Sequence, residues 1–361
     1  MLKAHVTSVA VVLADDEQPD PFQLSPALPA ARADAVFGLT TALQQLRDYR
    51  FIYFSDHQRL FAELSARRHE IELVLNLCDQ GLHNDWAREA HVPALLEVLG
   101  LPYTGASPRS LVWCFDKAFV YGVATAMGIA VPQFTCAEAG KVTWDGPYPA
   151  FVKPNFADGS FGITRHAVAH DAEGIRRAVS AMRETFGYGD LVLVQEYLPG
   201  LDLSVGVIGN PPVSQRALPI LEENYAGVTG GAPHVGCYEA KWDSESTASA
   251  YHGVSWLRAQ LPAEIERRIV DWSLLLLERL ECHDYARVDW RLDSTGQPRL
   301  LEVNPNPGWD HWTYLATMAG WAGLEYPELL RAILEAARAR TSAAHPSTGN
   351  QSGSRASGLP L

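Results

Sequence analysis

The sequence predicts an α/β protein, α+β in part, and three features carry that prediction. Strand-like runs alternate with helical stretches through the first 110 residues, the order that builds a parallel sheet. Beyond residue 190, strand-like runs follow one another directly. Late in the chain, residues 285–304 read as a hairpin with one polar and one apolar face.

Residues 1–110 are expected to form an N-terminal parallel α/β domain. A strand at 6–14 (VTSVAVVLA after His5) precedes the Pro- and Asp-rich loop DDEQPDPFQLSP, a helix at about 32–48 and the strand FIYFS at 51–55. A helix near 56–68 and the apolar strand IELVLNL (71–77) follow, then VPALLEVLGLPYTGAS (92–107) as helix, short strand and glycine turn. Ligands of parallel sheets lie off the carboxyl ends of the strands. Cys78–Trp86 (CDQGLHNDW), with His83 and Asp85, is therefore a candidate rim, although a lone loop histidine is more often simply solvated. Lys3 is the only basic residue before the first apolar run, so that run reads as a buried strand rather than a secretion signal.

Residues 111–190 form a second piece. A single helix over about 110–127 carries Asp116 and Lys117, the strand YPAFVKP (148–154) ends near Lys153, and NFADGSFGIT (155–164) is a Gly/Ser loop. Gly159, Ser160 and Gly162 suit a loop whose backbone N–H groups close over phosphate, though a plain hairpin turn fits equally well. No Walker A pattern occurs. The strand RHAVA and a helix over 171–186 complete this piece.

Residues 191–340 hold the strands LVLVQEYL (191–198), LSVGVIG (203–209), LPILEENY (218–225) and YEAKW (238–242), with Lys241 in the last. A helix over 262–281, the hairpin and a helix over 326–340 follow. In the hairpin, Val288, Trp290 and Leu292 alternate with Arg287, Asp289 and Arg291, and after the turn DSTGQP, Leu301 and Val303 alternate with Glu302 and Asn304. Arg287, Asp289, Glu302 and Asn304 then converge. Two carboxylates and an amide oxygen are hard ligands that favour Mg²⁺. Taken alone, the same residues also describe a hairpin with a wetted polar face. Residues 341–361 are Ser/Gly/Pro-rich and read as a disordered tail.

With 361 residues, 47% hydrophobic and 20% charged, the chain is expected to be a soluble protein of several modules. A net charge of −13 argues against nucleic-acid or membrane-surface partners, but not against a nucleotide held by local lysines. Five cysteines without CxxC spacing suggest neither disulfides nor zinc, and buried thiols in the cytoplasm are expected.

The order Lys117, Lys153, GSFG, QEYLPGLD, Lys241 and RVD…LLEVNPNPG, with PYTG at 102–105, resembles the ATP-grasp superfamily, specifically D-alanine–D-alanine ligase-like carboxylate–amine ligases, from about Leu73 to Arg340. The resemblance implies an ATP-grasp fold in which two α+β subdomains clasp ATP beside the N-terminal domain. It implies an ADP-forming ligase that makes an amide through an acyl phosphate, with small-molecule carboxylate and amine substrates. Lys117 and Lys153 would contact ATP phosphates, Gly159 and Ser160 would lie in the closing loop, and Lys241 would reach the terminal phosphate. Gln195, Glu196, Tyr197 and Leu198 would present main chain to adenine, Asp202 would take the ribose, and Arg287 would stabilise the acyl phosphate and tetrahedral intermediate. Asp289, Glu302 and Asn304 would hold two Mg²⁺ ions, Mn²⁺ being a substitute. Homodimers are common in the resembled family, an analogy that leaves the oligomeric state of this chain open.

Departures from the family pattern gather at the substrate end. LADDEQPD (13–20) replaces a Gly-Gly and Ser/Glu signature, Cys78-Asp79 replaces His-Gly, and Trp242 stands where Tyr or Phe is usual. The Ser-Leu pair that grips the second substrate's carboxylate becomes Thr313-Tyr314, preceded by Trp309, Asp310, His311 and Trp312. Asp79, Trp242, Gly308, Trp309, Asp310 and Thr313 are therefore the candidate substrate residues. An aromatic, acid-bearing wall suits an acceptor larger or more cationic than alanine, and a biosynthetic or peptide-modifying ligase is favoured over D-alanine–D-alanine ligase itself. Trp321 is expected in the core, while Trp309 and Trp312 fit core or site equally. The competing class is an ATP-binding small-molecule kinase or nucleotide sensor without ligation.

Overall fold

The computed structural model describes residues 5–16, 18, 28–157, 159–187, 191–229, 232–237 and 254–344. Lys241, Trp242, the YEAKW segment and residues 345–361 lie outside that set.

The N-terminal sheet is parallel and three-stranded, in the order β2 (Tyr49–Phe54), β1 (Thr7–Val12), β3 (Leu73–Asn76). The central strand β1 is buried along its whole length, as expected of an unbroken TSVAVV run between helical layers. Helices α1 (Leu28–Leu43), α2 (Leu60–Ala66) and α3 (His91–Leu99) belong to this unit.

Where one helix was expected over 110–127, there are two: α4 (Pro108–Phe115) and α5 (Lys117–Ala126). Asp116 between them is extended (ψ 96°) and accepts a hydrogen bond from the Phe119 N–H at 2.9 Å. An aspartate that caps a new helix breaks the old one, and the break places Lys117 in a first turn. The second sheet follows, antiparallel in the order β4 (Phe134–Ala137), β7 (Val192–Glu196), β5 (Ala150–Pro154), β6 (Val168–Ala169), with α6 (Ala172–Phe186) between β6 and β7. The expected strand RHAVA is reduced to the two residues of β6.

The third sheet is antiparallel, in the order β11 (Ser255–Arg258), β10 (Leu221–Asn224), β8 (Asp202–Ile208), β12 (Tyr285–Leu292), β13 (Pro298–Asn304), with β9 (Arg216–Ala217) on β8. The hairpin is β12–β13. Helix α7 (Ala263–Arg279) covers its apolar face, where the Trp290 Nε1–H donates to Ser273 Oγ at 3.0 Å. Helices α8 (Tyr314–Trp321) and α9 (Tyr326–Ala344) close the chain, and α9 runs four residues into the segment expected to be tail.

The cores cross the sequence segments. Val9, Val11, Leu39 and Leu43 share one cluster with Tyr285, Leu315, Met318, Leu330 and Leu334, so α8 and α9 pack on the N-terminal unit. Val120 and Tyr121 of α5 share another with Val205, Val288, Trp290 and Val303, so the helix carrying Lys117 rests on the third sheet. The Asp284 carboxylate, fully buried, accepts from the Gly105 N–H at 2.8 Å, from Asn210 Nδ2 at 2.9 Å and from Arg340 at 2.7 Å. The five cysteines are free thiols; four are buried and Cys136 is half-buried. Among the described residues, no helix is long and apolar enough to cross a membrane.

One register expectation fails. The β12–β13 pairing matches Asp289 with Glu302 but Trp290 with Leu300, a bulge that leaves Leu301 unpaired. Leu300, not Leu301, joins Val303 in the core, and Leu301 turns to the polar side. An inserted residue reverses the alternation on one side of itself.

Candidate active site

Between the second and third sheets lies a cavity of about 620 Å³. Pairing of Arg287 with Asn304 and Asp289 with Glu302 across the hairpin puts all four side chains on its wall. The Arg287 guanidinium grips Asp289 with both forks, Nε to Oδ1 and a terminal nitrogen to Oδ2, each at 2.8 Å. It also lies 3.9 Å from Glu302 Oε1. Ser204 of β8 donates to Asp289 Oδ1 at 2.7 Å. Asn304 Oδ1 accepts from the Asn306 N–H at 2.9 Å.

Two lysines face this group. Lys117 Nζ donates to the Ala157 carbonyl oxygen and lies 3.4 Å from Glu302 Oε2. Lys153 Nζ reaches the Tyr121 hydroxyl and the Leu301 carbonyl oxygen, each at 3.3 Å. The Tyr121 hydroxyl sits 2.9 Å from Gln195 Oε1 and 3.0 Å from that carbonyl, so it ties β7 to the bulge of β13. Burial, then the nearby Lys117 charge, lowers the Lys153 ammonium to about 7. Asn155, just after β5, locks the two lysines together: its Oδ1 accepts from the Ala118 N–H at 2.9 Å and its Nδ2 donates to Asp116 at 2.8 Å.

Gly159, Ser160 and Gly162 all have left-handed backbone, with φ of 61°, 67° and 79°. Three such residues within four positions coil the loop, and Gly159 and Ser160 line the cavity. For Ser160 that conformation is unusual and shows that its surroundings fix it.

Gln195, Tyr197, Leu198 and Asp202 line the same cavity. Glu196 points away: its carboxylate accepts from the Gln133 N–H at 2.9 Å, and its own N–H donates to the Gln133 carbonyl oxygen at 2.9 Å. Asp202 meets Arg291 at 3.2 Å and the Tyr225 hydroxyl at 3.2 Å. Burial raises its carboxyl to about 6 against the pull of Arg291. Arg291 also stacks over the Tyr197 ring at 5.2 Å. Sequence reasoning passed over Arg291, Glu223, Tyr225 and Trp256 as cavity residues. The alternation that put Asp289 on the polar face carried the signal for Arg291 too.

Of the substrate candidates, Asp79, Gly308, Asp310 and Thr313 line the cavity. Trp309 does not: its ring packs on the N-terminal core and its carbonyl oxygen accepts from the Tyr326 hydroxyl at 2.7 Å. Trp312 faces the cavity instead, and Trp321 packs in the core as expected. The Thr313 hydroxyl is within 2.9 Å of the Gly308 and 2.8 Å of the Asp310 carbonyl oxygen, which fixes the turn between them. Tyr314 carries Arg287 over its face at 5.1 Å and meets Trp256 edge-on at 4.6 Å. Of the loop 78–86 only Asp79 reaches the cavity. Asp85 caps a short turn through the Ala87 N–H, while His83 lies 3.5 Å from Asp15. Ligand atoms of Asp15, His57 and His83 fall within 4.8 Å of one another, but both His57 ring nitrogens are occupied, by the Leu13 carbonyl and the His83 N–H.

Asp289, Glu302 and Asn304 fit divalent cations. They are adjacent hard oxygen donors, and the two carboxylates lie beside Arg287 and Lys117, which can exchange them for phosphate.

The family model described as "D-ala D-ala ligase C-terminus" matches residues 125–335. The chain is 32% identical to the uncharacterized protein y4sG of Sinorhizobium fredii, over 74% of this chain and 75% of that protein. It is 32% identical to a D-alanine–D-alanine ligase of a Caulobacter species, over 74% of this chain and 79% of that protein. The crystal structure of Bacillus anthracis D-alanine–D-alanine ligase complexed with ATP shares the fold at a TM-score of 0.68 and 21% identity, covering 93% of this chain and 99% of that one.

Proposed function

We propose, for a chain that belongs to the D-alanine–D-alanine ligase family of ATP-grasp enzymes, that it activates an amino-acid-like carboxylate as an acyl phosphate and joins it to an amine in a biosynthetic pathway. It is an ATP-dependent carboxylate–amine ligase that forms C–N bonds. The observation that carries the finer reading is the meeting of Lys117, Lys153, Arg287, Asp289 and Glu302, from four elements, on one cavity wall.

A carboxylate resists amine attack because hydroxide leaves badly. Lys117 and Lys153 offset charge on the triphosphate as its terminal phosphoryl passes to a carboxylate oxygen and ADP departs. Gln195, Tyr197 and Leu198 form the adenine end, and Asp202, held by Arg291, takes the ribose. The loop at Gly159 and Ser160 excludes water that would hydrolyse the mixed anhydride. Lys241, outside the described residues, is assigned to the terminal phosphate on the family pattern. Asp289, Glu302 and Asn304 would hold two Mg²⁺ ions, which would supply positive charge to neutralise the phosphates. The amine then attacks the carbonyl carbon, Arg287 donates to the oxyanion, and the C–O bond breaks with its electron pair leaving on phosphate.

The experiment is ADP release with ATP, Mg²⁺ and an amino-acid panel, with and without hydroxylamine. Hydroxamate formation marks the acyl phosphate, and amide product requiring two substrates marks ligation. A phosphorylated product stable to amines would refute the reading in favour of a kinase. A second reading, D-alanine–D-alanine ligation itself, is supported by the names of several relatives. Thr313-Tyr314 and Asp310 at the acceptor end speak for a different amine, and D-alanine belongs in the panel to decide between them.

A further inference from the structure

Resting on the ligase reading and going beyond it, we infer that the acceptor end of the cavity selects an amine bearing a second, non-reacting cationic group, an ammonium or guanidinium, which Asp310 receives. Three observations converge there. Three acids of the wall sit beside built-in cations, Asp289 beside Arg287, Asp202 beside Arg291 and Glu302 beside Lys117, and Glu223 takes the Tyr225 hydroxyl. The Asp310 carboxylate lines the same cavity with no hydrogen-bond or ion-pair partner among the described residues; burial raises its carboxyl to about 6, and only His311 opposes that. A half-buried acid left bare is an unfavourable arrangement that an arriving cation reverses.

The second observation is that the backbone carrying this carboxylate is held in place. Thr313 spends its hydroxyl on the Gly308 and Asp310 carbonyl oxygens, so the turn is fixed and that hydroxyl has no proton left for an acceptor's carboxylate. The third is the wall beside it. Trp312, 36% exposed, Trp256 and Tyr314 line the same cavity, and Tyr314 already holds the Arg287 guanidinium over its face at 5.1 Å. Flat aromatic faces suit the alkyl stem and the charge of a long cationic amine.

The test compares acceptors matched in shape but not in charge: arginine with citrulline and lysine with norleucine, in both stereochemical forms, with agmatine as a cation lacking a carboxylate. With a donor acid identified by hydroxamate formation, kcat/KM for the cationic member should exceed its neutral partner by roughly 30-fold or more, the range for removing one side of a desolvated charge pair. In Asp310→Asn that ratio should collapse toward one, and Asp310→Glu should keep most of it. Equal rates for charged and neutral partners in the wild type, or a ratio unchanged in Asp310→Asn, would overturn the inference while leaving the ligase reading intact. Absence of hydroxamate with every acid would instead count against that reading. Calorimetric binding of arginine against citrulline, with a non-hydrolysable ATP analogue and Mg²⁺, then decides the inference by itself: preferential arginine binding that Asp310→Asn removes supports it, and equal binding overturns it.

Discussion

Replacing Lys153 by methionine should make the ligand-free protein more stable while abolishing its response to ATP. Lys153 is 4% exposed, and its Nζ rests on the Tyr121 hydroxyl and the Leu301 carbonyl oxygen at 3.3 Å each. Its ammonium falls from 10.5 to about 7, through burial first and the Lys117 charge second, with Glu302, Asp289 and Asp202 opposing. At about 1.36 kcal/mol per unit, that drop sets roughly 5 kcal/mol against folding with the lysine charged. The folded value lies below the unfolded one, so the unfolded chain binds more protons between about pH 7 and pH 10, and stability from this group rises with pH across that window. The penalty is complete below about pH 7.

Methionine forfeits two long hydrogen bonds worth about 1 kcal/mol each, leaving a net gain of roughly 3 kcal/mol near pH 6. Close to pH 9 only about 2 kcal/mol of the penalty remains, and the advantage disappears. Urea denaturation of both proteins across this range measures the gap directly, provided the m-values agree. Added ATP and Mg²⁺ should stabilise the wild type alone. A variant less stable than the wild type near pH 6, or a gap indifferent to pH, would refute the charge layout proposed for this cavity.

Other perturbations probe separate parts. Arg287→Ala should lower kcat by about 10²–10³ with nucleotide affinity changed only a few-fold; a large loss of ATP binding by calorimetry would remove Arg287 from its oxyanion role. Glu302→Gln should weaken Mg²⁺-dependent nucleotide binding by roughly tenfold or more, and an unchanged Mg²⁺ titration would count against it as a ligand. Asp284→Ala leaves Arg340 and the Gly105 N–H without their shared carboxylate and should cost about 3–5 kcal/mol in denaturant unfolding, a loss of stability rather than of chemistry.

Much of the hairpin's polar wall was legible because a strand has period two, and RVDWRLD shows that period without interruption. The bulge at Leu301 was not, since an extra residue in an apolar strand leaves no mark on composition. Asp116 was readable in retrospect: an aspartate in an otherwise apolar helical run is a cap as readily as a surface residue. Trp309 and Trp312 could not be told apart, because their directions depend on a turn set by the Thr313 hydroxyl and on the Tyr326 contact, both made after the chain has folded. Packing of α5 on the third sheet and of α9 on the first was equally hidden, since periodicity shows that a helix has an apolar face but not which sheet receives it.

The division between strand and loop also explains where the departures from the family pattern fall. Lys153, Asp289, Glu302 and Asn304 stand on paired strands, where a shift of one residue would turn a cavity-facing side chain into the core, so their placement is tied to the register of the sheets. Asp79 and the turn from Gly308 to Thr313 belong to connections, and connections change side chains without disturbing a ladder. They are not loosely attached, however. Asn306 donates to the Glu89 carboxylate at 2.7 Å, Tyr326 holds the Trp309 carbonyl oxygen, and Arg340 binds both Asp284 and the Tyr103 carbonyl oxygen at 2.7 Å. The proposed acceptor end is thus built between the N-terminal unit and the tip of the hairpin, on loops anchored at both sides. Such an arrangement lets the proposed acceptor end change its side chains while the groups proposed to handle phosphate stay where the sheets put them.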